Sequence, residues 1–460
     1  MPNQLAFLML ILWPFVALVL FRRFSPAQAL IWTLLAGYLL LPPPPAKFDF
    51  PLMPPLNKEN IPSLAAFAIV ATTLRGQFEL LPRSWIVRGL LLVFILSPFA
   101  TVATNTEPVF FGVAGLPGLR FVEAVALMVQ QAILILPFLL GRAILAQPQD
   151  QRAILMALMV GGLVYSVPML IEIRLSPQIN TWVYGYFQHY FNQMVRFGGY
   201  RPIVFLYHGL WAAFFAMTAF IAALALYKGS HNRNASGYLI AAGYLGVLLF
   251  LCKSVGAALY GIVLAPLVLL LGAKTQIRLA ALLAVLAVAY PVLKQVDLVP
   301  INQMLDQAAR FDTERAASLK FRFDNEDILF ERAALKPVFG WGSWGRNHIL
   351  DPATGLITTV TDGRWIITLG VFGWVGFLAE FGLLMSPLLA LWSVVRRKGA
   401  DVQILAGPLS LLLAINIVDL IPNATLTPLT WLIAGSLLGA AETARQGYRA
   451  PVQEKLRTVL

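Results

Sequence analysis

The chain has 460 residues, 59% of them hydrophobic and 12% charged, with a net charge of +12 and a mean hydropathy of +0.75. Soluble domains carry roughly 25% charged residues, so a string of water-soluble domains is excluded. Cys252 is the single cysteine, which excludes an intramolecular disulfide and a cysteine-built zinc or iron–sulfur site, and the four histidines (His189, His208, His231, His348) show no metal-binding spacing.

Thirteen apolar runs follow one another, at 4–21, 26–41, 61–74, 84–101, 121–141, 153–172, 203–227, 237–252, 255–273, 279–293, 364–392, 402–419 and 425–441. Most are long enough to cross a bilayer core of about 30 Å as a helix. A helix is required because lipid cannot satisfy backbone N–H and C=O groups. The expected fold is an all-α polytopic membrane protein of about 12–13 transmembrane helices. Residues 1–293 would hold ten spans with outer loops at 42–60, 102–120 and 173–202. Residues 294–363 would form a large, partly helical outer loop, 364–441 the last spans, and 442–460 an inner tail. The first run has no basic residue before it and Arg22-Arg23 after it, the pattern of an N-out anchor rather than a signal peptide. "LPPPPAKFDFPLMPPLNKEN", at 41–60, reads as an extended outer linker poor in backbone donors.

Basic residues set the orientation. With the N-terminus outside, the inner gaps and tail collect 18 of the 34 bases and 5 acids, and the outer side 16 bases and 15 acids. Odd-numbered gaps are basic and even-numbered ones are mixed, apart from the very short gap holding Lys253. Positive-inside bias therefore puts the N-terminus outside and the C-terminus in the cytoplasm. It also accounts for the whole of the +12, which excludes nucleic acid as a partner. The bilayer is the partner that remains.

The long loop at 294–363 breaks this rule. "KFRFDNEDILFERAALKPVFGWGSWGRN", residues 320–347, packs four acids and five bases into 28 residues. Loops of this length are usually functional. Leu305, Ala308, Ala309, Ala316, Leu319, Phe323, Leu329 and Ala333 recur mostly at helical spacing, so amphipathic helices lie over 301–335, stopped by Pro337 and Gly340. The outer loops offer Arg174, Arg196, Arg201, Arg310, Arg315, Lys320, Arg322, Arg332, Lys336 and Arg346, with Arg364 at the next edge. Arginine suits bidentate phosphate binding, while pairing with Asp312, Glu314, Asp324, Glu326, Asp327 and Glu331 is the plainer use. Tyr190, Trp341 and Trp344 are among aromatics that suit either an interfacial belt or sugar stacking. No nucleotide, triad or metal motif appears. An acceptor hydroxyl would need one general base, for which His348, Asp362, His189, Asp351 and Glu331 are available.

One region is similar to a known family. Arg322 is followed by "FDNEDILFERAALK" and then "PVFGWG", supplying Pro337, Gly340 and Gly342. Asp362 is followed by "GRWIITLGVF" and "GWVG", supplying Gly373 and Gly376. Upstream, Arg196 and Arg201 with Gly198 and Gly199 precede a span that opens near His208-Gly209. In order and topology, residues 190–390 resemble the superfamily of O-antigen ligases and O-antigen or exopolysaccharide polymerases, membrane glycosyltransferases of the C type. The resemblance implies a glycosyltransferase C-like fold in the bacterial inner membrane. It implies an undecaprenyl-diphosphate-linked glycan as donor, a glycan acceptor, reaction at the periplasmic face and no cofactor or metal. A chain-length regulator is a further partner it implies. Arg196, Arg201 and Arg322 would hold the diphosphate, with Arg315 and Arg364 in support. Asp362 or His348 would orient or deprotonate the acceptor, Arg322 would stabilise the leaving group, and Trp341, Trp344 and Tyr190 would contact sugars. Ligases of the family resemble each other in a histidine where this chain has Asp362, which points to a polymerase, with the ligase as alternative. A transporter or flippase of lipid-linked sugars would place its charges near the midplane, whereas this chain concentrates its outer charge in one loop, 294–363.

Overall fold

A computed structural model describes residues 1–50, 53–230, 235–311, 313–397 and 402–445, without the side chains of 311, 314 and 315. Helices dominate: α1 Gln4–Arg23, α2 Pro26–Leu40, α3 Ile61–Thr73, α4 Trp85–Ala103, α5 Phe121–Leu134, α6 Leu136–Ile144, α7 Pro148–Leu175, α8 Ile179–Tyr184, α9 Gly209–Lys228, α10 Ala235–Leu251, α11 Val255–Leu270, α12 Ala273–Gln295, α13 Ile301–Phe311, α14 Thr313–Ala334, α15 Arg364–Val395, α16 Ala406–Asp419 and α17 Pro428–Arg445. Strand structure among the described residues is confined to two small hairpins, β1 Val109–Phe111 with β2 Ala114–Leu116 and β3 Val195–Arg196 with β4 Gly199–Tyr200. The chain is a multi-pass helical membrane protein.

Each expected span falls on a helix, with three differences. Seven helical stretches combine the length and apolarity that crossing needs: α1, α4, α5–α6 together, α7, α9, α12 and α15. α2, α3, α10, α11 and α16 are apolar but shorter. The run at 121–141 is broken between Leu134 and Leu136, where Pro137 at the start of α6 removes a backbone donor. The run at 203–227 becomes helical only at Gly209. On α1, α10 and α11 the apolar residues Leu8, Phe15, Ile240, Phe250 and Ile262 stay exposed, as a lipid-facing surface requires. α9, α16 and α17 are buried on nearly every side and form the centre of the bundle.

Residues 203–208 escape the helix because side chains satisfy their backbone instead. The Glu172 carboxylate, fully buried on α7, accepts the N–H groups of Ile203 (2.7 Å) and Val204 (2.8 Å), and also that of Ile179 (3.1 Å). Phe205 N–H donates to the Tyr165 hydroxyl (3.0 Å), and its carbonyl accepts from Lys58 Nζ (2.6 Å). Gln188 Nε2 donates to the carbonyls of Val204 and Leu206. Irregular backbone can be buried among helices when its polar groups are paired in this way.

The glycine motifs form an interlock. α15 departs from helical geometry at Gly373 (φ 65°), and segment 337–342 fits the break. Trp374 and Val375 donate to the carbonyls of Pro337 and Val338, while Trp341 and Gly342 donate to those of Gly370 and Val371. A Cβ on Gly340 would sit 2.6 Å from the Val371 backbone, and one on Gly373 2.4 Å from Val338 O. Both residues also have left-handed φ, so glycine is required twice over. The motif that carries the family resemblance is therefore a joint between the long loop and α15.

Candidate functional site

Three of the expected arginines meet. Arg196 arrives on β3, Arg201 follows β4, and Arg322 sits in the middle of α14. Together with Lys253 and Ser254, in the turn between α10 and α11, they line one cleft of about 540 Å³. Its apolar wall comes from Val195, Phe197, Leu210 and Leu319. Four cations thus share one concavity. Among the described residues, Asp362 is the one acid in ion-pair contact with any of them, Arg322 Nε to Asp362 Oδ2 at 3.3 Å. Both partners remain about one-third exposed, 34% and 33%.

The hairpin and the segment after it fix the first two arginines. Val195 and Arg196 pair with Tyr200 and Gly199, and Arg201 N–H donates to Met194 O. Arg201 then runs under the start of α9, where a Cβ on Gly209 would approach its side chain to 3.1 Å. Its Nη2 reaches Lys253 O (3.3 Å). Its Nε is buried without an acceptor among the described residues, an orphaned donor in a site crowded with positive charge. Burial, then Arg196 and later Arg322, pull the Arg201 guanidinium down to about 10; it stays charged at neutral pH. Lys253 holds a left-handed φ and bridges to the hairpin through the carbonyls of Arg196 (3.2 Å) and Phe197 (3.3 Å).

His208 borders the cationic site but is no base. Burial first, then His189 and the arginines, push its imidazole down to about 3, so it is neutral. Nδ1 accepts Leu210 N–H (3.1 Å) at the start of α9, which leaves the proton on Nε2, donated to Gln193 Oε1 (3.1 Å). Both nitrogens are spent on structure. Asp362 differs: its Oδ1 accepts no hydrogen bond from the described residues.

The remaining expected residues lie elsewhere. Trp341 does not face sugar, a correction to the sequence reading: it is 8% exposed, with Arg332 stacked 3.5 Å over its ring and its Nε1 on Arg332 O. Arg364 does not join the other arginines either. It is bound in bidentate fashion by Glu380 (2.7 and 3.0 Å) and lines a different cavity. His348 shares Nδ1 with the Thr359 hydroxyl (3.1 Å) and is not among the cleft residues; burial pushes its pKa down. Trp344 is exposed at a left-handed φ, and Tyr190 is exposed with its ring against His189. The Arg315 side chain lies outside the described residues.

Sequence reasoning missed Lys253 and the end of the Pro-rich linker. Lys253 carried one signal, as the exception to the alternation of loop charge. Lys58 and Glu59 carried none. Lys58 is 2% exposed, with Nζ near the rings of Tyr38 and Tyr207, and burial pushes its ammonium down to about 7. Glu59 accepts from the Tyr207 hydroxyl, and burial raises its carboxyl pKa above the usual range. The linker is not extended as expected: it turns at 43–46 and folds back on itself, with Phe48 and Leu56 exchanging backbone hydrogen bonds.

The chain matches no known family model, and no curated protein is detectably similar to it.

Proposed function

We propose that this protein is a membrane glycosyltransferase that polymerises oligosaccharides carried on undecaprenyl diphosphate, at the periplasmic face of the bacterial inner membrane. The observation that supports this reading is the convergence of Arg196, Arg201, Lys253 and Arg322, from three separate segments, on one cleft with a single contacting acid. So many cations held close together repel one another, and a multiply charged anion relieves the repulsion. A diphosphate supplies two phosphoryl groups for the arginine forks.

The chemistry follows from charge. An acceptor hydroxyl attacks the anomeric carbon, the bond to the lipid diphosphate breaks, and the leaving group gathers negative charge as it departs. Preorganised guanidinium groups stabilise that charge. Asp362, held at Arg322 with Oδ1 open, accepts the proton of the attacking hydroxyl. Arg364 and His348 have no part in this step.

Purified protein in detergent, given a lipid-diphosphate oligosaccharide, tests the reading. Longer lipid-linked chains are expected; transfer to a different acceptor would mark a ligase. Arg322→Ala should lower turnover on the order of 10²–10³-fold while the protein still elutes as a folded species. Full activity in both Arg322→Ala and Arg201→Ala would remove the cleft from the mechanism.

A further inference from the structure

A second cavity, of about 450 Å³, lies beside the cationic cleft and shares no lining residue with it. The two share chain segments. Leu210 lines the cleft while Tyr207 and Trp211 line the cavity; Asp362 pairs with Arg322 of the cleft while Arg364 lines the cavity. Two residues span at most about 7 Å of chain, so the two spaces are neighbours along 207–211 and 362–364.

The cavity is built for something uncharged and rich in hydroxyls. Its charges cancel: Glu380 is consumed by Arg364 and by the Thr368 hydroxyl (3.0 Å), and Lys58 stands behind Glu59. Its size falls within the roughly 300–1,000 Å³ of small-ligand sites. Gln131 lines it at 4% exposure, and its amide has no hydrogen-bond partner among the described residues. Its amide atoms are not sealed from solvent, so donor and acceptor alike are open to the cavity. Asn57 spends its Oδ1 on the N–H groups of Glu59 and Asn60, which leaves its two amide hydrogens. Glu59 offers carboxylate lone pairs. Tyr207, Trp211 and Phe372 add aromatic surface. Donors, acceptors and rings around a neutral space match the faces of a pyranose.

We infer that this cavity binds neutral sugar rings of the acceptor glycan, with Gln131, Asn57 and Glu59 hydrogen-bonding its hydroxyls against Tyr207 and Trp211. The assignment to the acceptor rests on the reading of the neighbouring cleft as the diphosphate site; the assignment to sugar does not.

The probe is the pool of free oligosaccharides released by mild acid from the lipid-linked glycans of the host cell. The full-length protein in detergent is titrated with it, and binding is followed by equilibrium dialysis and by tryptophan fluorescence. Saturable binding is expected. Gln131→Leu should weaken it about tenfold, the loss of one to two hydrogen bonds. Ser343→Trp, at a lining position on the loop, should abolish binding by filling the space, and serves where Gln131→Leu fails to fold. Arg322→Ala should leave binding of the released sugar unchanged while abolishing retention of the lipid diphosphate. No saturable binding, or equal binding by wild type and Ser343→Trp, would overturn the cavity assignment and leave the cleft untouched. Loss of sugar binding in Arg322→Ala would overturn the separation of the two sites.

Discussion

Two groups of cations lie within 25 residues of each other in the long loop and do opposite things. Arg322 faces an open cleft with Arg196, Arg201 and Lys253. Arg332, Lys336 and Arg346 face carbonyls. Arg346, 2% exposed, donates to Trp341 O, Pro117 O and Glu107 O and to Asn105 Oδ1. Arg332 donates to Arg346 O, and Lys336 to Thr104 O and Asn105 Oδ1. The second group fastens the 102–120 loop to the interlock at α15. Among the described residues one acid, Asp362, forms an ion pair with the first group and none does with the second, so counting charges would point to the wrong one as the anion site. What separates Arg322 and Arg201 from the second group is that part of their donor capacity is unspent on carbonyls. A cation surrounded by carbonyls is a clamp, whereas one beside other cations with orphaned N–H groups can receive an anion.

That contrast can be broken by exchanging which variants lose activity and which lose stability. The largest expected effect is on turnover: Arg201→Ala and Arg322→Ala each fall on the order of 10²–10³-fold, with melting temperatures close to wild type. Arg346→Met should do the reverse, costing about 3 kcal/mol or more of stability because several buried acceptors lose their donor. A detergent melting curve reads it, and a wild-type melt would show that Arg346 is not a clamp. Gly340→Ala should be next, destabilising by roughly 1–3 kcal/mol through its left-handed φ alone, with more from the clash at Val371. The last effect is read as a slope rather than a single loss. Lys58 has a folded pKa near 7 against an unfolded value near 10.4. Between those values the unfolded chain binds more protons, so this residue makes stability rise with pH from about 7 to 10.4. Lys58→Met should flatten that part of the profile relative to wild type, and parallel profiles would place Lys58 in a wetter setting.

The helices were legible because hydropathy is a local property, and each apolar run states its own need for an internally bonded backbone. Arg196, Arg201 and Arg322 were legible by residue type and by their defiance of the positive-inside bias. Their difference from Arg332 and Arg346 was not, since the carbonyls that occupy those two come from residues as distant as Glu107 and Pro117. Gly340 and Gly373 stood out as a motif, yet what they meet is each other's segment. Trp341 matched the composition of a sugar site and is buried under a guanidinium. Gln131 and Glu59 gave no signal, because one looks like an ordinary polar residue on a helix and the other like part of a linker. A cavity belongs to the space between elements, and no single element encodes it.

Glu172 holds Ile203 and Val204 by their amide N–H groups, which every residue except proline possesses. The identities of the side chains at 203 and 204 are therefore uncoupled from the placement of Arg201 and His208 on either side. Both side chains are fully buried and Val204 holds a left-handed φ, so what these positions demand is an apolar residue that fits the interior, with glycine the least strained choice at 204. The acidic residue at 172 has no such latitude. A library randomised at 203 and 204 should accordingly return apolar variants and no prolines, and the same library made at 172 should return almost none but the parent.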